Sequence, residues 1–367
     1  MALDEARLED LLRFLVERRG SDLHLKVGSP PRIRVDGHLQ PAPFDAPTAA
    51  DTERLAFAIL PPARADEFEA TSEADFALDR PGVGRFRVNV YRQRGTVALV
   101  FRSVMPGIPS FASLGLPAIV ERLAEERRGL VLVTGPTGSG KTTSIASMLD
   151  HVNTTRAVNI VTIEDPIEVL HTDKQAIVSQ REIGSDTEGF AQAMRRVLRQ
   201  DPDVIFVGEM RDPETVWAAL AAAETGHLVL STLHTADTVE TVNRIVDFFP
   251  SHQHQQIRLS LATSLRGIVS QRLVERADGP GRVPAVEVLV NTGRVFDRIV
   301  DPEAPGDSLL EIVADGDYYG MQTFDQSLLR LYADGRVGLR DALATASNPS
   351  DLRVALQQAG LPLTAGV

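Results

Sequence analysis

Cysteine is absent from all 367 residues, so no disulfide framework, thiolate zinc knuckle or cysteine nucleophile is available, and metal chemistry must use oxygen or histidine ligands. Aromatic residues are scarce at 5%, with one tryptophan, which leaves few platforms on which bases could stack. Basic side chains are outnumbered, 38 against 50 acidic, and a net charge of −12 argues against a surface that binds nucleic acid or anionic lipid throughout. No apolar run approaches the roughly 20 residues needed to span a bilayer; the longest are short stretches such as 217–223. Asp4, Glu5 and Arg7 interrupt what would be the apolar heart of a signal peptide, so no transmembrane segment and a cytoplasmic location are expected.

What is present is enough apolar side chain, 43% of the chain, to bury two or three cores. Residues 3–19 read as an amphipathic helix, with Leu8, Leu11, Leu12 and Leu15 at helical spacing and Gly20 as the stop. Predicted strands at 23–27, 32–35, 76–78, 85–91 and 96–102, with a helix at 49–59, make residues 1–103 a small α+β domain. Two prolines and a glycine in 105–110 place a linker within 104–114. Over 115–292 strand, loop and helix alternate: predicted strands are 130–134, 157–163, 203–207 and 228–232, and helices begin at Lys141, near 189 and at 213. This is the pattern of an α/β domain with a mostly parallel sheet. The helix at 213–224 has Asp212 as N-cap, Pro213 in its first turn and Gly226 beyond its end. Residues 293–367 read as an acidic helical tail, with segments near 322–333 and 350–358.

The strongest local signal is Gly135-Pro136-Thr137-Gly138-Ser139-Gly140-Lys141-Thr142-Thr143, which follows the apolar strand 130–133 and opens a helix. Spacing and context are both those of a Walker A loop. Its glycines allow backbone N–H groups to turn toward a polyphosphate, Lys141 brings a cation to the β and γ phosphates, and Thr142 offers a hydroxyl to Mg²⁺. Nucleotide binding follows; the job does not, because kinases, GTPases, helicases and secretion motors all use this loop.

Two acids stand at predicted strand ends, Glu164 after 158–163 and Glu209 after 204–207. In an open parallel sheet such positions gather at the ligand crevice beside the phosphate loop. Hydrolysis of ATP needs one group to orient or deprotonate water and another in the Mg²⁺ shell, and Glu164 is assigned to the water and Glu209 to the metal. Asp165 and Glu168 are weaker candidates, capping a turn or facing solvent. His234 ends another strand, where it could sense the γ phosphate, and His227 is a lesser candidate for the same role. His252 and His254 read as a solvated loop.

Residues 79–102 hold Arg80, Arg85, Arg87, Arg92, Arg94 and Arg102 against one acid, Asp79. Such a stripe could grip nucleic-acid phosphates, reach a neighbouring subunit's ATP as arginine fingers, or discourage strand pairing at an edge. Phe86, Tyr91 and Phe101 are too few to favour single-stranded nucleic acid, and Phe86 is more simply core.

A set of motifs extends along the chain. They are Gly20-Ser21-Asp22-Leu23-His24-Leu25, Val35-Asp36-Gly37, Gly84-Arg85-Phe86-Arg87-Val88-Asn89, the phosphate loop, and Val161-Thr162-Ile163-Glu164-Asp165-Pro166-Ile167-Glu168. Further on come Arg199-Gln200-Asp201-Pro202-Asp203, Val207-Gly208-Glu209-Met210-Arg211-Asp212, residues 225–237, and Gly320-Met321-Gln322-Thr323-Phe324-Asp325. Together they resemble the type IV pilus retraction ATPases, the twitching-motility branch of the secretion ATPase superfamily, over nearly the whole chain.

The resemblance implies a RecA-like P-loop ATPase domain, a smaller PAS-like N-terminal domain and a helical C-terminal tail. It implies a ring-shaped homohexamer in which each N-terminal domain packs on the next subunit's ATPase domain, with ATP and Mg²⁺ at the interface. Glu164 becomes the catalytic glutamate of an Asp box, Glu209 an atypical Walker B acid, His227 and His234 parts of a His box, and Arg87 and Arg102 the arginines that reach the nucleotide. The expected function is a cytoplasmic motor, peripheral at the cytoplasmic membrane, that retracts pili through an inner-membrane platform protein. A pilus-assembly, secretion or DNA-uptake ATPase is the alternative. Absence of cysteine matches the retraction branch rather than relatives with a four-cysteine metal module. Residues 293–301, Gly293-Arg294-Val295-Phe296-Asp297-Arg298-Ile299-Val300-Asp301, depart from that branch's usual signature after the ATPase core.

Overall fold

The computed structural model describes residues 5–35, 37–104 and 107–363, and the chain forms two units, 1–107 and 108–367. Asp36 of the Val35-Asp36-Gly37 motif, and Met105 and Pro106 of the expected linker, lie outside the described residues.

In the first unit α1 (Glu5–Glu17) buries the four predicted leucines, Leu8, Leu11, Leu12 and Leu15, on one face. It is followed by β1 (Asp22–Lys26), β2 (Arg32–Val35), β3 (His38–Pro41), α2 (Ala49–Ile59), α3 (Pro62–Thr71), β4 (Glu73–Arg80), β5 (Gly84–Gln93) and β6 (Thr96–Ser103). A capping box between Thr48 and Asp51 fixes the start of α2. The strands form a six-stranded sheet in the order β3-β2-β1-β6-β5-β4, antiparallel at every pairing.

Side chains alternate across β5, so Phe86, Val88 and Val90 enter the core with Phe101, Leu99 and the leucines of α1, while Arg85, Arg87 and Asn89 lie on the other face. On that second face Arg102 stands opposite both Arg87 and Asp22. β3 and α3 were not expected from sequence; β3 has every residue exposed and so carries no apolar alternation to read.

The second unit begins with α4 (Phe111–Leu114) and α5 (Ala118–Ala124), then β7 (Gly129–Thr134), α6 (Lys141–Thr155), β8 (Asn159–Glu164), β9 (Ile177–Glu182), α7 (Phe190–Val197), β10 (Val204–Val207), α8 (Pro213–Glu224), β11 (Leu228–Leu233), α9 (Thr238–Asp247) and α10 (His254–Ser264). Next come β12 (Leu265–Glu275), β13 (Arg282–Val290), α11 (Gly293–Val300), α12 (Leu309–Ala314), α13 (Phe324–Ala333), α14 (Leu339–Thr345) and α15 (Pro349–Gln358). The end of the expected linker is therefore structured, since Phe111 of α4 rests edge-on against His151 of α6 and the Ser147 hydroxyl donates to the Pro109 carbonyl at 2.6 Å.

A seven-stranded sheet runs β13-β12-β7-β11-β10-β8-β9, parallel from β12 to β9 with β13 antiparallel at the edge. β7, β10 and β11 are buried at every residue, as parallel strands covered on both faces should be. Leu130 and Leu132 face a core with α8, α9 and α10, whereas Val131 and Val133 face one with α5 and α6. The hairpin of β12 and β13 was not foreseen. Gly267, Gln271 and Arg272 break its apolar pattern, and β12 follows α10 with no intervening loop. The hairpin also carries the C-terminal helices, through a separate core that joins Val274, Val283 and Ala285 to Phe324, Leu328 and Leu352.

In the first unit, burial works to raise the Asp22 carboxyl, but hydrogen bonds from Ser21 (2.7 Å) and Arg102 (2.8 Å), with the Arg102 charge, outweigh it and hold the group below its ordinary value of 3.8. A depressed carboxyl contributes stability that is full above the unfolded pKa and is lost as pH falls through the folded one. Asp22→Asn should therefore melt below wild type at neutral pH, with the gap closing as pH drops below about 4. Thermal melts of both proteins from pH 7 to pH 3 test this, and a gap that is constant across the series refutes it.

Candidate functional site

β7 delivers the chain at Thr134 into the loop 135–140. Gly135 has φ +140°, and a Cβ there would lie 2.4 Å from the Gln271 carbonyl oxygen and 2.6 Å from Ser139 Oγ, so only glycine fits. Gly140, at φ +93°, is the N-cap of α6 and supplies no side-chain cap. The first N–H groups of this helix are thus left without a side-chain acceptor, an arrangement suited to an anion.

Lys141 Nζ donates to the Gly135 and Pro136 carbonyls at 2.7 and 3.0 Å, which holds the ammonium over the loop. Burial lowers its pKa, opposed by the negative charges of Glu209 and Glu168. Ser139 Oγ is buried with no hydrogen-bond partner among the described residues, and Thr142 is exposed on the first helical turn with Thr143 half-buried beside it. Beneath the loop, Ser144 and Gln271 bond to each other, and Thr134 Oγ1 shares a 2.7 Å bond with Ser270 Oγ.

The parallel register aligns Thr134 with Leu233, Ser231 with Val207 and Val207 with Ile163, so the loop, His234, Glu209 and Glu164 all lie along the carboxyl edge of the sheet. Glu209 Oε2 accepts from Arg211 Nε at 2.9 Å and forms an ion pair with its Nη2 at 2.8 Å, and Oε1 lies 3.5 Å from His234 Nε2. Arg211 also approaches Asp165 at 3.9 Å, and its bonds to Glu209 raise its pKa further. Arg211 stood in a sequence motif without a role; its place two residues after Glu209 was the available signal.

Glu164 is 7% exposed, and its Oε1 accepts from Thr162 Oγ1 at 2.6 Å and Gln180 Nε2 at 3.1 Å. Burial raises its pKa despite these bonds. With β11 and β10 between, its strand is three spacings from β7, about 14 Å. Glu168, read from sequence as a turn or solvent residue, is exposed yet close enough to act electrostatically on both Glu164 and Lys141.

His227 is not brought to this edge. It precedes β11, its carbonyl accepts from Gly129 N at 2.9 Å, and its Nδ1 bonds to the Ala222 carbonyl at 3.0 Å, closing the end of α8. The strand separates it from His234 by about 20 Å. His254 is also no loop residue, since it starts α10 and its Nε2 bonds to the Phe249 carbonyl.

The arginines of residues 79–102 do not form a free stripe. Arg80 pairs with Glu5, Arg85 with Asp79, Arg92 with Glu53 and Arg102 with Asp22. Three of those four acids come from other parts of the chain. Arg87 is exposed and has no ion pair among the described residues, while Arg102 remains 69% exposed despite its bond to Asp22.

The glycine cradle, uncapped helix, unpartnered Ser139 hydroxyl and Lys141 suit a polyphosphate. Among the described residues no group of three or more His, Asp or Glu could hold a metal ion alone. Thr142 and Glu209 suit Mg²⁺ in the way that ion is usually held, by one or two protein oxygens with phosphates and water completing the shell.

Known proteins match over most of the chain. A family profile described as type II/IV secretion system protein matches residues 114–304. The type IV pilus retraction ATPase PilT of Pseudomonas aeruginosa is 41% identical over 344 residues, 94% of this chain and 99% of PilT. The type IV pilus ATPase PilU of the same organism is 41% identical over 349 residues, 95% of this chain and 91% of PilU. A crystal structure of the pilus retraction motor PilT with bound ADP has a TM-score of 0.88 at 44% identity, covering 95% of this chain and 99% of that one.

Gly135→Ala should weaken nucleotide binding by about tenfold or more, about 1.4 kcal/mol, because either the loop or β12 must shift. Titration with a fluorescent ATP analogue measures it, and unchanged affinity in a folded variant would show that the close approach is not needed.

Proposed function

Because the chain belongs to the type II/IV secretion system protein family, whose members hydrolyse ATP, we propose that it is a motor coupling that hydrolysis to retraction of a type IV pilus. The observation that carries the reading is the single sheet edge on which the phosphate loop, Glu209, His234 and Glu164 stand, in a chain similar to a retraction ATPase over 94% of its length.

In this reading the first-turn amides of α6 and residues 135–140 hold the phosphates, and Lys141 exchanges its carbonyl contacts for them. Thr142 and Glu209 hold Mg²⁺, which when bound with ATP neutralises phosphate charge. Arg211 holds the Glu209 carboxylate in place. Thr162 and Gln180 fix Glu164, and burial makes its carboxylate a stronger base for the attacking water. His234, beside Glu209, reports whether the γ phosphate is present.

Arg87 and Arg102 act from the first unit of a neighbouring copy as fingers in a homohexamer, and of the two Arg87 has no ion pair to break among the described residues. The ring works at the cytoplasmic face of the membrane on an inner-membrane platform protein. Closure around ATP and release after hydrolysis supply the stroke.

Glu164→Gln should bind ATP normally and lower turnover by about a hundredfold or more; near-normal hydrolysis would overturn its assignment as the base. Mixing Arg87→Ala subunits with Lys141→Ala subunits should restore part of the activity if the fingers act in trans, and no recovery in assembled mixtures would refute that arrangement. In cells, deleting the gene should leave more surface pili that no longer withdraw. Fewer pili would assign the motor to assembly instead.

A further inference from the structure

Glu287 lies in β13 at 2% exposure, in register with Ser270 of β12 and through it with Thr134 of β7, and accepts hydrogen bonds from two different helix starts. Its Oε1 accepts from Thr238 N at 2.9 Å and Thr238 Oγ1 at 2.8 Å, and its Oε2 from Phe324 N at 3.4 Å. Thr238 is the first residue of α9 and Phe324 the first of α13. A buried carboxylate is costly unless its oxygens are satisfied, and here the satisfaction comes from joining two elements that sequence places 86 residues apart.

α9 is also held from the nucleotide side. Its Thr241 hydroxyl bonds to Thr235 at 2.7 Å, just after His234, and to Thr134 at 3.4 Å, which is bonded in turn to Ser270. The first turns of α9 thus touch the last residue before the phosphate loop, the His234 segment and, through Glu287, the C-terminal helices. On the far side the link is firm. Gln322 donates to the Val286 carbonyl and Ser327 accepts from Val286 N, which pins α13 to the same strand.

We propose that Glu287 is a positioning residue for ATP hydrolysis, tying the start of α9, and through it the His234 segment, to the start of α13, so that nucleotide state and the placement of the C-terminal helices are coupled. The proposal rests on the reading of His234 as a nucleotide-facing residue. The Gly320-to-Asp325 motif, which the phosphate chemistry leaves without a role, becomes the receiving end of this link.

Glu287→Gln separates the two halves. An amide oxygen can still accept from Thr238, but the amide nitrogen then meets the Phe324 N–H, donor against donor, with side-chain volume unchanged. ATPase kcat, KM for ATP and melting temperature should be measured on the full chain for Glu287→Gln, His234→Ala and the double variant. Positioning predicts that Glu287→Gln lowers kcat about fivefold or more with KM moving less than about twofold, and that the double variant is no slower than the slower single one. A helix cap without function predicts a lower melting temperature, unchanged kcat in the folded fraction, and losses that multiply in the double variant; either kinetic result overturns the proposal.

If His234→Ala hydrolyses ATP at the wild-type rate, the sensor reading falls and Glu287's role falls with it, while the phosphate-loop assignment stands on Lys141→Ala. Should Glu287→Gln fail to fold, Thr238→Val removes only the hydroxyl donor and is scored by the same cycle with His234→Ala.

Discussion

The carbonyl oxygen of Gln271 stands where any side chain at position 135 would have to go. This steric limit forces the chain to leave β7 as glycine at φ +140°, and the turn that follows aims the start of α6 back across the sheet edge. Gln271 is itself fixed by its bonds to Ser144 on the first turns of α6, so loop, helix and β12 brace one another. A phosphate-binding loop needs backbone N–H groups held still before the ligand arrives, and rigid neighbours supply that preorganisation.

The strand supplying this brace was invisible in the sequence, although the loop it braces was the clearest signal there. The loop is written in nine consecutive residues, and its meaning depends only on a strand before and a helix after. β12 carries Gln271 at the base of the loop, Arg272 against the C-terminal helices and Gly267 where a Cβ would meet Leu123 of α5 at 2.9 Å, and such duties erase the apolar run by which a buried parallel strand is recognised. The helix at 213–224 was legible for the opposite reason, since Asp212 and Pro213 mark its start within adjacent residues.

Pairings across the fold were the least legible features. His227 and His234 are seven positions apart and look alike as strand-end histidines, yet one extended strand sends them to opposite edges of the sheet. The arginines of β4 to β6 suggested a basic stripe because only Asp79 lies among them; folding brings Glu5, Glu53 and Asp22 from elsewhere to neutralise most of the charge. What survives is narrower than a nucleic-acid track, which needs a continuous run of free cations and stacking aromatics. An isolated exposed Arg87 beside a tethered Arg102 suits a point contact with a phosphate better than a groove.

The polar groups buried in the second unit follow a common logic. Thr134, Ser270, Thr241, Thr235, Thr238 and Glu287 are all withdrawn from water, and each bond among them crosses from one element to another or from a helix to the loop before it. Apolar residues of similar size would pack there at no desolvation cost, so stability alone does not account for them. Hydrogen bonds have direction, and a chain of them has few alternative arrangements, whereas apolar contacts tolerate sliding. A motor must convert a small change at a phosphate into a defined displacement elsewhere, and directional contacts between discrete elements are the means by which a packed protein can do so. Their placement between the phosphate loop, α9 and α13 marks the part of the fold where such a displacement would be carried.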